Sequence, residues 1–251
     1  MSQFQSIMEL TATDWENAIG LSGSDLPVAV ISEGTWWREQ RAKERLALLD
    51  DVRELPFPDI FVGSRHGKPV AYCCAYGAPR AAELAHLFGS LGAQLAVQIG
   101  SCGGLQGGLV PGDVVVPDEA VCEEGVARLY GAGERVLADA RRSDMARSML
   151  TDKGHQAHGG THLTWYSIFA QDGSMVEDWH KAGYVSVDME TATTLAVARH
   201  FGMHAVSMLV VWDELLRGRS FLDPLEPDQQ RAFDSAYGDL FAVALQLVDE
   251  L

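Results

Sequence analysis

The stretch AQLAVQIG, residues 93–100, contains no charged side chain and interrupts its apolar run only with two glutamines. A strand this apolar has to be covered on both faces, which is the condition of a sheet buried between helices. Its surroundings supply the cover. LPVAVIS (26–32) is a β-branched run followed by the helical spacing of WWREQRAKERLALLDD, and DIFVGSRHGKPVAYCCAY reads as two strands around the turn RHGK. PRAAELAHLFGSLG reads as a helix started by Pro79, GDVVVPDEAV as a strand and ERVLADARRSDMARSML as a helix. After a variable stretch come the strand GYVSVDME, the helix TATTLAVARHFG, the strand MHAVSMLVVWD and a long helix from about Pro227. Strands alternating with helices predict an α/β sandwich around a largely parallel or mixed central sheet. Ligands in such folds gather at the carboxyl ends of strands. Three strand ends therefore matter most: Ser32–Glu33, Gln98 to Gly104, and Trp212–Asp213.

The bulk figures agree with one domain over residues 1–251. The chain is 47% hydrophobic, and no long polar or Pro/Gly/Ser-rich linker, internal repeat or low-complexity tract divides it. A formal net charge of −16 argues against nucleic acid and anionic membrane surfaces as partners. The first twenty residues lack the basic start and apolar centre of an export signal, and no apolar run reaches membrane length. Cys73, Cys74, Cys102 and Cys122 form no CxxC pair and read as reduced, buried side chains of a cytoplasmic protein.

Three motifs carry chemistry. In GSCGG (100–104) glycines permit positive φ and close approach of a ligand to the main chain, and successive amides there form an anion nest beside the Ser101 hydroxyl. The alternative is a plain tight turn, since neither GxGxxG nor the lysine of a nucleotide P-loop is present. In VDMETA, Asp188 and Glu190 flank Met189, and alternation at a strand end points both carboxylates to one face, suited to a ribose diol. The alternative is a cap on the helix that follows. Asp213 ends a very apolar strand, where burial raises a carboxyl pKa toward neutrality and makes it a proton donor; the alternative is an N-cap for ELLRG. His155, His158 and His162 invite a metal, but the glycine pair between them breaks any helical spacing. Cys73 and Cys74 face opposite sides of their strand. Trp36–Trp37 opens a helix as core, as subunit interface, or as filler of space beside the nucleophile.

In combination, QIGSCGGLQGGLVPGDVVVPDEAV and VDMETATTLAVARHFGMHAVSMLVVWDE resemble the hexameric purine nucleoside phosphorylase and uridine phosphorylase family, which includes methylthioadenosine nucleosidases. The resemblance covers about residues 60–130 and 160–215, and the 23 residues from Glu190 to Asp213 fit the purine branch. It implies a three-layer α/β/α sandwich with a central mixed sheet. It also implies cleavage of the N-glycosidic bond of a purine nucleoside by phosphorolysis, to free base and pentose 1-phosphate. Carried over by residue, Met189 and Glu190 hold ribose, with Asp188 where a Glu is common. Asp213 acts on purine N7. TWYS (164–167) offers Trp165, with Tyr166, as the base-stacking platform beside Gly103. No arginine follows that segment to read uracil, and Asp213 favours a purine.

The same resemblance raises a difficulty at Gln98, where the phosphorylases carry a phosphate-gripping arginine three residues before the loop Ser101. The N-terminal GDPxR is also replaced by SEGTWWRE. Losing a charge-assisted partner to phosphate costs about 1.5–3 kcal/mol per bond. Either Arg38 and Arg80 rebuild the site around Gly100 and Ser101, or water replaces phosphate as in the nucleosidases, with Glu33 as general base. A third reading keeps the fold as a non-catalytic nucleoside-binding module. No histidine precedes His66 to reach the 5′-hydroxyl, which leaves an apolar contact such as Phe4. The resemblance implies no metal or organic cofactor, inorganic phosphate as co-substrate, and a homo-oligomer, a dimer or a trimer of dimers.

Overall fold

A computed structural model describes residues 10–251. The first helix, α1 (Ala12–Ile19), is closed by a reciprocal cap between Thr11 and Asp14. Then follow β1 (Ala29–Gly34), α2 (Arg38–Leu46), β2 (Asp50–Glu54), β3 (Ile60–Arg65) and β4 (Lys68–Cys74). The β3–β4 hairpin turns on His66 and Gly67, both at positive φ, as a two-residue turn matching strand twist requires. Next are α3 (Ala78–Ser90), with Pro79 in its first turn, and β5 (Leu95–Gly104). The middle of the chain forms β6 (Val114–Val115), β7 (Glu119–Cys122), α4 (Val126–Leu129), β8 (Arg135–Leu137), α5 (Ala140–Asp152), β9 (Ala157–His158) and β10 (Thr161–Thr164). The last part is α6 (Gly173–Lys181), β11 (Ser186–Asp188), α7 (Thr191–His200), β12 (His204–Glu214) and α8 (Pro227–Asp249).

The strands make one mixed sheet in the order β2-β3-β4-β1-β5-β11-β10-β7-β8, with β12 pairing β5 and β6, and β9 pairing β6. Strand β5 is the trunk of this sheet. It runs parallel to β1 and to β12, and its last residues, Gly103 and Gly104, also pair antiparallel with β11. Its residues alternate between two apolar layers. Ala96 belongs to the layer of α3 and α7, with Leu84, Phe88 and Leu195. Leu95, Val97 and Ile99 belong to the layer of α5 and α8, with Leu150, Leu240 and Phe241. Helices on both faces of a mixed sheet are the three-layer architecture expected from the sequence.

Three local expectations are corrected. GDVVVPDEAV is not one strand but two, β6 paired with β12 and β7 paired with β10. GSCGG is neither a turn nor a nest: Gly100, Gly103 and Gly104 continue β5 without positive φ, their backbone committed to neighbouring strands. The chain bends later, at Gly108 and Gly112, with φ of 98° and 99°. The segment ERVLADARRSDMARSML is not one helix. Arg135–Leu137 pairs with β7, and Asp139 then caps α5 by accepting from the Arg142 amide at 2.9 Å. No helix among the described residues is long and apolar enough to cross a membrane. The four cysteines are free and buried, and burial pushes the Cys73 thiol up to about 12 and those of Cys74 and Cys122 to about 11.

Candidate active site

The carboxyl ends of β1, β5 and β12 meet the turn after β11, and a cleft of two adjoining chambers opens there. The smaller, about 80 Å³, is lined by Gly103, Val187, Met189, Glu190, Gln171 and Leu215 among others. The larger, about 210 Å³, is lined mainly by aromatic side chains of the β1–α2 turn, β12 and α8. Gly34, Tyr76, Ser101, Ile168 and Asp213 line both. Asp213 and Glu190 thus converge on one cavity beside Ser101.

Asp213 reaches the junction because β12 slips register against β5 between Val211 and Asp213. Such a bulge bends the strand and redirects side chains. Its Oδ1 is buried with no partner, and burial, outweighing the Phe221 amide, raises the carboxyl to about 7. The group therefore exchanges a proton near neutrality. Glu190, at the start of α7, accepts from the Gly77 amide at 2.5 Å and the Met189 amide at 3.3 Å. Burial, then the negative charge of Asp188, raises it to about 8. Two glycines make room for this carboxylate: Gly77 takes φ of 88°, and a Cβ on Gly34 would stand 3.2 Å from Glu190 Oε2.

Asp188 borders the smaller chamber with Glu190, but its oxygens already have partners within the protein. Its oxygens are taken up by His162 Nε2 at 2.8 Å, Thr164 Oγ1 at 3.0 Å, and both the amide and hydroxyl of Thr191. Burial alone would raise it, but His162 and these donors hold it below the usual carboxylate range. These contacts anchor Asp188 under the Met189–Glu190 turn. Gln98 belongs to the same buried network and not to the cleft wall. It donates to Asp188 Oδ2 at 3.2 Å and accepts from Ser207, and its Oε1 lies 2.9 Å from Thr191 Oγ1.

The cations expected around Ser101 are engaged elsewhere. Arg38 pairs with Asp59 at 2.7 Å on the surface, and Arg80 pairs with Glu83 at 2.9 Å and Pro58 O at 3.1 Å. Arg41, which sequence reasoning passed over, is the one guanidinium lining either chamber among the described residues. Glu33 is not placed as a general base. Its side chain is fully buried behind β1, where it accepts from Arg45 Nε at 3.1 Å and Tyr72 OH at 2.7 Å. Trp165 and Tyr166 also fall outside the cleft: Trp165 stacks on Tyr166 at 4.1 Å, packs on Trp179 and donates to Ala170 O. Gly103 does line the smaller chamber. Gly100 serves by clearance, since a Cβ there would lie 3.2 Å from Gly34 O. The contact considered for Phe4 lies outside the described residues.

The histidines of HQAHGGTH separate. His155 pairs with Asp239 at 2.8 Å, His158 lies 3.3 Å from Asp113, and His162 is buried on Asp188. No group of three or more His, Cys, Asp or Glu able to hold a metal occurs among the described residues.

Residues 38–244 match a family model described as the phosphorylase superfamily. The chain belongs to that superfamily. Guanosine phosphorylase of Halorubrum lacusprofundi is 28% identical over 181 residues, spanning 70% of this chain and 75% of its own. A DeoD-type purine nucleoside phosphorylase of Caldanaerobacter subterraneus subsp. tengcongensis is 26% identical over 209 residues, spanning 80% and 89%. Uridine phosphorylase from Vibrio fischeri ES114, solved with 6-hydroxy-1-naphthoic acid, superposes with a TM-score of 0.78 at 20% identity over 92% of this chain and 95% of its own. That likeness shows the shared fold. Phosphorylase-superfamily relatives with these names are pentosyltransferases, so the chain is a member of an enzyme family acting on nucleosides.

Proposed function

We propose that this protein cleaves the N-glycosidic bond of a purine nucleoside. The observation that carries the reading is the unpartnered, near-neutral Asp213 carboxyl facing the same cavity as Glu190 and Ser101. In this mechanism Met189 packs on the sugar and Glu190 takes its hydroxyls. Protonated Asp213 gives its proton to purine N7 as the bond from C1′ to the base breaks. The bond electrons leave with the base, and the sugar passes through an oxocarbenium-like state stabilised by the negative charge of the buried Asp188 carboxylate. A nucleophile held by the Ser101 hydroxyl then closes on C1′.

The names of the curated relatives support phosphate as that nucleophile, giving free base and pentose 1-phosphate. A second reading, water, is favoured by one specific observation: Arg38, Arg80 and Arg45 are each tied to a carboxylate away from Ser101. Incubating the protein with inosine, guanosine, adenosine and uridine, with and without phosphate, and following free base separates the cases. Release only with phosphate identifies the phosphorylase, and release in both conditions identifies the hydrolase. No release from any nucleoside leaves the nucleoside-binding module and removes the catalytic proposal. Assembly into a dimer or trimer of dimers is part of the same proposal, checked by light scattering.

A further inference from the structure

Asp188 and Glu190 flank Met189 and both border the smaller chamber, and no lysine or arginine lines it among the described residues. Two carboxyls facing one buried space share their charge unevenly, the proton staying on the one with fewer donors. The donors here are divided very unequally. Asp188 has Thr164 Oγ1 at 3.0 Å, the Thr191 amide at 3.1 Å and hydroxyl at 2.6 Å, and Gln98 Nε2 at 3.2 Å. His162 adds Nε2 at 2.8 Å from Oδ1, and that buried nitrogen has no other partner among the described residues. Glu190 has the Gly77 and Met189 amides alone. By this count the charge belongs to Asp188 and the proton to Glu190.

His162 weights that division. Strands β10 and β11 run parallel with Thr164 opposite Asp188, and alternation puts His162 on the same face as Thr164. Its ring is fixed from behind, Nδ1 standing 2.7 Å from Ser186 Oγ, so Nε2 faces the carboxylate. An ionised carboxylate only accepts, which puts a proton on Nε2 whether the ring is neutral or charged. Ser186, His162 and Asp188 are the residue types of a nucleophilic triad, but Ser186 and His162 are fully buried and neither lines the cleft. The line is sealed, so its action passes through Asp188. Resting on the assignment of Glu190 to the sugar, we propose that His162 is a positioning residue for nucleoside cleavage, fixing the negative charge on Asp188 and the proton on Glu190. Glu190 then offers the sugar hydroxyls a donor as well as an acceptor, while the charge stays on the anchored carboxylate beside it. The titration of the pair agrees. Burial raises both groups, but His162 and the hydrogen bonds hold Asp188 below the usual carboxylate range, and burial with the Asp188 charge lifts Glu190 to about 8. The other titratable groups facing the pair are Tyr76, Cys102 and Asp213. Burial raises all three, so Asp188 ionises first.

The test reads Glu190 directly, by NMR titration of the full-length chain carrying carboxyl-labelled glutamate, its resonance identified by loss in Glu190→Gln. In the native protein the midpoint should lie at about 8. His162→Asn keeps a polar group toward Ser186 but is too short to reach Asp188. There the Glu190 midpoint should fall by about one pH unit or more, the equivalent of one hydrogen bond. His162→Gln places an amide N–H where Nε2 stood and should restore it. KM for a nucleoside should rise up to about tenfold in His162→Asn, the same scale, with kcat changed less because a negative charge remains beside the sugar. A native midpoint in the ordinary carboxylate range overturns the proposal, and this measurement decides where His162→Asn does not fold. An unchanged midpoint in folded His162→Asn, or one that His162→Gln fails to restore, overturns it too. So does a lower kcat without a titration shift, which is a structural effect alone. The stated titration without nucleoside cleavage keeps the charge assignment and removes the proposed reaction. Cleavage with an unshifted midpoint does the reverse.

Discussion

Asp213 stands opposite Gly103 in the β12–β5 ladder, one residue later than the pairing of Val211 with Cys102 would place it. The extra residue, Trp212, is turned into the larger chamber, while Asp213 borders both. The bulge thus sets an aromatic wall and an acid side by side from a single strand. Asp213→Asn preserves shape and removes the transferable proton. We expect kcat on a purine nucleoside to fall about 10²- to 10⁴-fold, the usual contribution of a positioned acid, with KM changed little. Steady-state kinetics of the folded variant check this.

The same carboxyl predicts the alkaline limb of the pH profile. Asp213 must carry its proton to donate it, and its folded value is about 7. Activity should hold on the acid side of that value and fall as pH rises through it. In Asp213→Asn this limb should disappear from kcat/KM measured across the range.

Stability should follow pH with a defined sign. Asp213 and Glu190 ordinarily titrate at 3.8 and 4.5, and folding raises them to about 7 and about 8. Raised values mean that the folded chain keeps protons the unfolded chain has released. Their contribution is fully present below the ordinary values and is lost as pH rises through the raised ones. On their account the thermal midpoint should decline between pH 4.5 and 8, and the double variant Asp213→Asn, Glu190→Gln should flatten that decline in calorimetry.

Glu33 and Arg45 form a buried ion pair, which we expect to act structurally. Removing one member leaves an uncompensated charge, so Arg45→Met should cost about 3–5 kcal/mol in urea unfolding. Adding Glu33→Gln to it should recover part of the loss. The Glu33→Gln protein that remains folded should keep its kcat, whereas a general base at this position would take kcat down with it.

Gly34 is fixed by the carboxylate it faces. A Cβ there would meet Glu190 Oε2 at 3.2 Å and the backbone on its other side is held in the β1–β5 ladder. Gly34→Ala should displace the Glu190 carboxyl and raise KM for a nucleoside up to about tenfold, the scale of one hydrogen bond. The same substitution should leave the α8 packing, read by near-ultraviolet circular dichroism, unchanged.

What the sequence revealed and what it concealed have physical causes. The apolar runs and their period placed β1, β5, β11, β12 and the helices α2, α3, α7 and α8, because burial on both faces leaves a strong compositional trace, whereas the short α4 and α6 left none. Glu190, Asp213 and Ser101 were legible as polar groups at strand ends. The alternation argument failed at Asp188, since the chain leaves the strand there and Glu190 belongs to the start of α7. Glu33 misled for the opposite reason: it remains in its strand, and nothing local announces that Arg45 and Tyr72 wait behind it. GSCGG looked like a turn because glycine composition does not distinguish freedom of φ from clearance of a neighbour. Here clearance decides, as the 2.6 Å approach of Leu215 to a Cβ on Gly103 illustrates. Arg41 and Phe221 became visible only once α2, β12 and the loop before α8 were folded against each other.

Ser101 and Gly103 ride on a strand gripped along both edges, so the floor beneath the substrate is stiff. Whatever movement admits a molecule or lets one go is thereby assigned to the opposite bank. There Trp36 leans on Phe169 and Phe221 from two separate loops across the mouth. Substitutions at Trp36, Phe169 or Phe221 are therefore expected to change how fast a ligand enters and leaves, read by stopped-flow fluorescence, without altering Glu190 or Asp213.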